Sequence, residues 1–258
     1  MTTLPLAARD SATMIRRDFR HTVRYPGTLV MSLGVPTVLL LLFVGVFGGA
    51  LTAGTHGGSY IDYVVPGILL MTVGYGASTT ALSVNGDMTE GIIARFRVMA
   101  ITRSSVLTGH VAGALLRTMV SIGLLLGVAF LLGYRPDAGP LAWLGALGLL
   151  ALVVLAMAWL AVAIGLLART AQGTGPFVLV VQVLPFLSSA FVPTAAMSAP
   201  VRWFAQHEPF TPIIDTLRGL LLGTSVGSTG IVAVAWCVGL ALAGFAWAVS
   251  LFRRDPRS

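Results

Sequence analysis

Residues 141–168 read LAWLGALGLLALVVLAMAWLAVAIGLLA, a stretch without a single charged side chain. About 20 helical residues cross the roughly 30 Å hydrocarbon core of a bilayer, and lipid-facing backbone must bond internally. The stretch therefore predicts a transmembrane α-helix. Five further apolar runs are of comparable length and cover residues 28–50, 64–85, 111–133, 175–193 and 230–252. The sequence predicts an all-α integral membrane protein with six transmembrane helices.

Composition excludes several classes of protein. The 258 residues are 56% hydrophobic and only 10% charged, whereas soluble domains are near a quarter charged. All 16 basic residues are arginine, and a P-loop ATPase needs a lysine for the β- and γ-phosphates. No catalytic constellation and no set of metal ligands at binding spacing stands out. We therefore expect a non-enzymatic chain with no metal site and no ATPase site of its own.

The arginines predict the orientation in the membrane. Twelve lie in the N-terminal tail, the second and fourth loops and the C-terminal tail, against three in the alternating loops, with Arg117 set aside. The positive-inside rule then places both termini in the cytoplasm of a bacterial cell, with the chain as a multi-pass protein of the plasma membrane. This rule also explains the net charge of +7 without a nucleic-acid partner.

Two segments outside the spans have patterns of their own. Residues 1–27 predict an amphipathic interfacial helix, because apolar residues recur every three to four positions and arginines fill the other faces; the alternative is a disordered basic tail. Residues 28–258 then form a single transmembrane domain. Within it, prolines divide residues 190–223 into pieces too short to span, which predicts a re-entrant outer hairpin before span six. Asp215 and Arg218, three apart there, are predicted to form a structural ion pair.

The loop at residues 86–110 contains EGIIARFRVMAITRSSVLTG at positions 90–109. This stretch is too polar to span the membrane and too apolar for a passive linker. It predicts a short amphipathic cytoplasmic helix that docks a soluble partner, or alternatively a helix that rests on the bilayer or on its neighbours.

The same stretch resembles the coupling segment of type-2 ATP-binding-cassette exporter permeases, in their daunorubicin-resistance-like branch. That family typically has a proline where this chain has Ala100. A second match lies in Ser189-Ala-Phe-Val-Pro193, Trp203-Phe204, Pro209-Phe-Thr-Pro212 and Asp215-Thr-Leu-Arg218, which are similar to the family's segment between its last two spans. The ordered set covers nearly the whole chain.

The resemblance implies partners and site residues. Two six-span permeases, identical or homologous, would pair with two copies of a separate ABC ATPase subunit that binds ATP and Mg, leaving no cofactor on this chain. The residues expected to couple to that ATPase are Glu90, Gly91, Ile92, Arg95, Phe96, Arg97 and Met99, with Arg16, Arg17 and Arg20 of the interfacial helix. The residues expected to line a translocation path in spans one, two and five are Phe43, Phe47, Met71, Tyr75, Gln182, Phe186 and Phe191.

The expected function is that of the membrane-spanning permease of an ATP-driven exporter for hydrophobic or amphipathic substrates (a drug, a lipid or a lipid-linked metabolite). The expected surroundings are membrane lipids and the hydrophobic substrate. Two alternatives stay open at this point. An ion-coupled secondary transporter would keep an acid or a histidine at depth, and here only Arg117 and the boundary residue Asp62 come close. A lipid-modifying membrane enzyme would need a polar cluster near the headgroups. Asn85 and Gln182 are interpreted as residues that either form hydrogen bonds between helices or lie at the boundary of a span.

Overall fold

In a computed structural model, the chain is described for residues 26–49, 59–89, 103–168 and 170–254. All regular structure in these ranges is helical, as predicted. Within these ranges the structure gives bounds for eight α-helices, in chain order: α1 (Pro26–Gly45), α2 (Tyr60–Thr89), α3 (Arg103–Leu131), α4 (Pro140–Leu167), α5 (Gly175–Val183), α6 (Ala199–His207), α7 (Phe210–Leu221) and α8 (Gly227–Arg254). Short 3-10 turns flank α5 at Ala171–Thr174 and Leu184–Leu187, and another lies at Thr194–Ala196.

Four of these helices are long and apolar enough to cross a membrane, within α2, α3, α4 and α8. Two further apolar stretches, Leu33–Gly45 and Ala171–Leu187, are shorter. The coarse prediction of several membrane helices is confirmed, whereas the six-span arrangement stays a prediction. The fifth run ends earlier as a helix than the expected 175–193, because Pro185 lacks an amide hydrogen and disrupts the turn before it.

The centre of the bundle is α2, packed on α1, α3, α4 and α5, and α8 packs along α4. Glycines allow the closest of these contacts. A Cβ on Gly165 of α4 would lie 2.7 Å from the carbonyl oxygen of Ala81 on α2, and one on Gly244 of α8 would lie 2.8 Å from the amide nitrogen of Leu160. The helix backbones therefore touch each other without intervening side chains.

The third helix continues unbroken through Arg117. Residues 103–131 form one α-helix, which buries Leu107, Val111 and Ala114 in the bundle before it reaches this arginine. The Arg117 guanidinium donates through Nη2 to Thr80 Oγ1 on α2, at 3.1 Å. A polar partner on the neighbouring helix thus accommodates the arginine inside the helix pair.

The helix bundle has two ends. The coupling end is where α2 ends and α3 begins, on either side of residues 90–102, and the distal end is the opposite one. The segment between α5 and α8 folds at the distal end as two short helices, α6 and α7. Each is too short to span a membrane, in agreement with the proline pattern.

Candidate functional site

At the coupling end, Asn85 ties the end of α2 to the end of α4. Its side chain is buried, and Nδ2 donates to the carbonyl oxygens of Ala168 at 2.6 Å and of Gly165 at 3.4 Å. Carbonyls in the last turn of a helix have no partner inside the helix. The Asn85 amide therefore supplies a hydrogen-bond donor that the backbone of α4 cannot provide at this end. Asn85 forms the interhelical bond that its sequence position suggested.

The same end also joins α2 to α3. His110 Nε2 of α3 lies 3.3 Å from Asp87 Oδ2 of α2, and both side chains are partly buried. Below this pair, a Cβ on Gly76 would lie 2.3 Å from Thr118 Oγ1, so the two helices are in close contact there as well. The two helices that flank residues 90–102 are therefore held to each other and to α4.

The residues expected to couple to an ATPase lie outside the described residues. This holds for Glu90, Gly91, Ile92, Arg95, Phe96, Arg97 and Met99, and for Arg16, Arg17 and Arg20. The structure describes only the helix ends from which the 90–102 segment emerges.

At the distal end, Arg218 of α7 is the centre of a polar cluster with Tyr63, Ser189 and Asp215, called the Arg218 cluster below. The predicted pair is present, with Arg218 Nη1 at 2.7 Å from Asp215 Oδ1. Asp215 Oδ1 also accepts a bond from Ser189 Oγ at 2.7 Å, and the Tyr63 hydroxyl donates to the Ser189 carbonyl at 2.9 Å. The sequence indicated the local pair but not its two long-range partners.

A buried glutamate just before α7 binds the amides of its first turn. Glu208 accepts hydrogen bonds from the backbone amides of Phe210, at 2.6 Å, and Thr211. These amides would otherwise have no partner in the first turn of the helix. Burial raises the pKa of the Glu208 carboxyl above its ordinary value, although the bonds from Phe210 and Thr211 act in the opposite direction.

Two buried polar atoms at the distal end have no hydrogen-bond partner among the described residues. They are Asp62 Oδ1, in the first turn of α2, and the Tyr134 hydroxyl, in the connection from α3 to α4. Burial raises the pKa of the Tyr134 phenol, and the charge of Asp62 acts in the same direction.

Four of the seven residues predicted to line a path form one row of aromatic rings in contact, in which the Phe43–Phe47 pair is tilted and the other two pairs are stacked. Phe43 lies 5.7 Å from Phe47 and 4.4 Å from Phe191, and Phe191 lies 4.9 Å from Phe186, measured between ring centroids. Phe47 is 42% exposed and Phe186 46% exposed, whereas Phe191 is buried. The row thus joins α1 to the stretch after α5 and presents aromatic rings at both of its ends.

The other three predicted path residues lie elsewhere. Met71 is 2% exposed in the interior of α2, and Tyr75 packs one turn further along the same helix. Gln182 is half-buried on α5. Because α2 is the central helix of this chain, Met71 has no surface facing outward in this conformation. Its role in a path stays a prediction.

Comparison with known proteins assigns the family. The profile of the family described as "ABC-2 type transporter" matches residues 10–222. The "Daunorubicin resistance ABC transporter permease protein DrrB1" of Streptomyces coeruleorubidus is 28% identical over 235 residues, which cover 91% of this chain and 78% of the relative. The "Probable doxorubicin resistance ABC transporter permease protein DrrC" of Mycobacterium tuberculosis (strain ATCC 25618 / H37Rv) is 24% identical over 213 residues, which cover 83% and 77%. The chain belongs to the ABC-2 type transporter family.

Proposed function

We propose that this permease exports hydrophobic or amphipathic molecules, driven by a separate ATPase that docks on residues 86–110. The observation that carries the proposal is the set of ties at the coupling end. Asn85 bonds α2 to α4, and the Asp87–His110 pair joins α2 to α3. A force applied to the loop therefore acts on three connected membrane helices and not on one isolated helix end.

The assembly that we propose has two permeases, as two copies or as homologues, and two ATPase subunits. ATP and Mg bind to the ATPase subunits, and this chain carries no cofactor and no ATPase site. The six apolar runs cross the plasma membrane of a bacterial cell with both termini in the cytoplasm, which brings the arginines of the N-terminal helix and of the coupling loop to the same side. Membrane lipids surround the assembly, and nucleic acid has no part in it.

The row of phenylalanines supports the proposed class of substrate. Its rings present apolar faces, which favour flat aromatic or amphipathic molecules over ions. The names of the two relatives point in the same direction, because they refer to resistance to daunorubicin and doxorubicin. A drug, a lipid or a lipid-linked metabolite would all fit this chemistry.

Co-purification with any ABC ATPase that a neighbouring gene encodes, followed by ATPase assays in liposomes, tests the proposed assembly. We expect a stoichiometric complex with stimulated turnover, and we expect Glu90→Arg or Arg95→Glu to weaken association. Asp137→Arg, which reverses an exposed charge at the distal end, is the matched control and should leave association unchanged. Equal association of all three variants would refute the docking role of the loop.

Transport assays test the energy source and the path. Doxorubicin and a fluorescent phospholipid serve as probes in liposomes that contain the complex. Transport that requires ATP and persists with an ionophore supports the exporter, whereas loss with the ionophore alone indicates the ion-coupled alternative. Phe186→Ala is expected to lower transport of at least one probe, and Phe245→Ala is its control, since Phe245 is also about half exposed (45%) but packs on Trp159 of α4.

A further inference from the structure

One guanidinium holds the distal segment to the central helix. Arg218 of α7 donates to the backbone carbonyl of Tyr63 on α2 through Nε at 3.3 Å and through Nη2 at 3.2 Å. Nη2 also donates to the Ser189 carbonyl at 2.9 Å. Together with the bond to Asp215, Arg218 connects three parts of the chain: α2, the turn after α5, and α7.

These contacts use most of the hydrogen-bond donors of the Arg218 guanidinium. Four of its five N–H groups have acceptors, and the guanidinium carbon lies 3.8 Å from the centroid of the Tyr63 ring. The planar group is thus fixed both at its edge and on its face. This arrangement argues against Arg218 as a contact for substrate and in favour of a mechanical role.

A second contact attaches the same segment to α2 one turn further along. A Cβ on Gly67 would lie 2.6 Å from Ala190 Cβ and 2.9 Å from the Ala190 carbonyl oxygen, so backbone meets backbone there. The two attachments, at Tyr63 and at Gly67, lie on either side of Pro66. A bend of α2 at this proline would therefore not release the segment.

Arg202 provides the contrast within the same segment. It donates to the carbonyls of Thr194, Ala195 and Met197, which is a similar number of bonds to main-chain oxygens. All three acceptors lie within eight residues of Arg202, so its bonds stay inside the segment and do not reach α2.

We propose that Arg218 is a positioning residue that makes residues 188–221 move together with α2 during the transport cycle. This inference rests on the proposed function, because it needs an ATPase to move α2. The helix is continuous over 30 residues, or about 45 Å at 1.5 Å per residue. Its coupling end leads into the 90–102 loop, so a displacement there is carried to the distal segment through the Arg218 cluster.

Distances between two spin labels test the proposal directly. Ser59, just before α2, and Gln206, on α6, are both exposed and would carry labels as cysteines in a Cys237→Ala background, since Cys237 is the only cysteine. Labelled chain is diluted with unlabelled chain so that distances between copies do not contribute. The complex with the ATPase is measured without nucleotide and after trapping with ATP and vanadate.

We expect a single narrow distance distribution in both states for the wild-type sequence. Arg218→Gln removes the bonds to both carbonyls and should broaden the distribution or make it depend on nucleotide. Arg218→Lys keeps the charge but not the planar fork, and should do the same. Arg202→Gln should match the wild type. In the same samples, Arg218→Gln should lower the ATPase stimulation by about tenfold, within the usual range of coupling between sites, with association unchanged.

Two results would overturn the proposal. One is a Ser59–Gln206 distance in the wild type that shifts by more than about 2 Å between states, the scale of helix shifts in switching proteins. The other is an Arg218→Gln variant that matches Arg202→Gln in both distance and turnover. The wild-type measurement holds even if Arg218→Gln does not fold. A wild-type chain that binds no ATPase contradicts the proposed function itself, which separates the two failures.

Discussion

Substitution of Gly165 by alanine tests the contact between α2 and α4. The new methyl group would lie 2.7 Å from the Ala81 carbonyl oxygen and 2.8 Å from Val84 Cβ. Neither atom can rotate away, because one belongs to the backbone and the other is attached directly to it. The two helices must therefore separate near the point where Asn85 reaches the end of α4.

The magnitude follows from two opposing effects. Overpacking of a tight contact costs typically about 1–3 kcal/mol, whereas alanine is favoured over glycine in a helix by roughly 1 kcal/mol. We expect Gly165→Ala to lower the free energy of unfolding by up to about 2 kcal/mol. Gly148, on the same helix, has no atom within 4 Å of its Cβ position, so Gly148→Ala is expected to be neutral or stabilising by up to about 1 kcal/mol.

Unfolding of the purified chain by SDS in mixed micelles, followed by tryptophan fluorescence, measures the difference. Both variants are compared with the wild type under identical conditions, and the quantity compared is the difference in the free energy of unfolding. The reasoning would be refuted by equal stability of Gly165→Ala and Gly148→Ala. A loss in Gly148→Ala alone would also contradict it, because no atom lies within 4 Å of that Cβ position.

Three further substitutions use the same unfolding assay. Asn85→Ala leaves the Ala168 carbonyl without its buried donor and should cost about 1–2 kcal/mol, and equality with the wild type would show that the bond adds nothing. Tyr134→Phe removes a buried hydroxyl without a partner among the described residues, so stability should stay equal or rise by up to about 1 kcal/mol; a loss would reveal a bonded hydroxyl. Burial raises the pKa of Glu208, so its contribution to stability is complete below the ordinary glutamate pKa of about 4.3 and declines as pH rises through the raised value. Glu208→Gln should remove this decline, which begins above the ordinary glutamate pKa of about 4.3, and an identical pH profile in the two proteins would contradict that origin.

The sequence predicts the long helices well, because an uncharged run of sufficient length has one stable form in a bilayer. The interiors of α2, α4 and α8 follow from that rule alone, whereas α3 continues through a charged residue, Arg117. The fifth run shows its limit. Its composition is as apolar as that of the others, yet the regular helix there is only the nine residues of α5. Pro185, and not hydropathy, sets the end.

In the Arg218 cluster, the sequence predicted only the contact between residues that are close together along the chain. Asp215 and Arg218 are one turn apart on α7, so the ion pair follows from helix geometry. Tyr63 is 155 positions away from Arg218, and Ser189 is 29 positions away. No pattern along the chain connects such residues, since their contact depends on how the distal segment folds back onto α2.

Burial of Met71 illustrates why the face of a membrane helix is hard to predict. The span within α2 has a mean hydropathy of 1.3 and is 78% buried, whereas the span within α8 has a mean hydropathy of 2.1 and is 22% buried. A helix that faces lipid must be apolar over most of its surface, but a central helix can carry hydroxyls. Thr72 and Ser78 donate to the carbonyls of Ile68 and Gly74, four residues before each, so these polar groups are satisfied inside their own helix. Of the four candidate spans in the described residues, the least hydropathic is therefore the central one, and its methionine packs against other helices of the same chain.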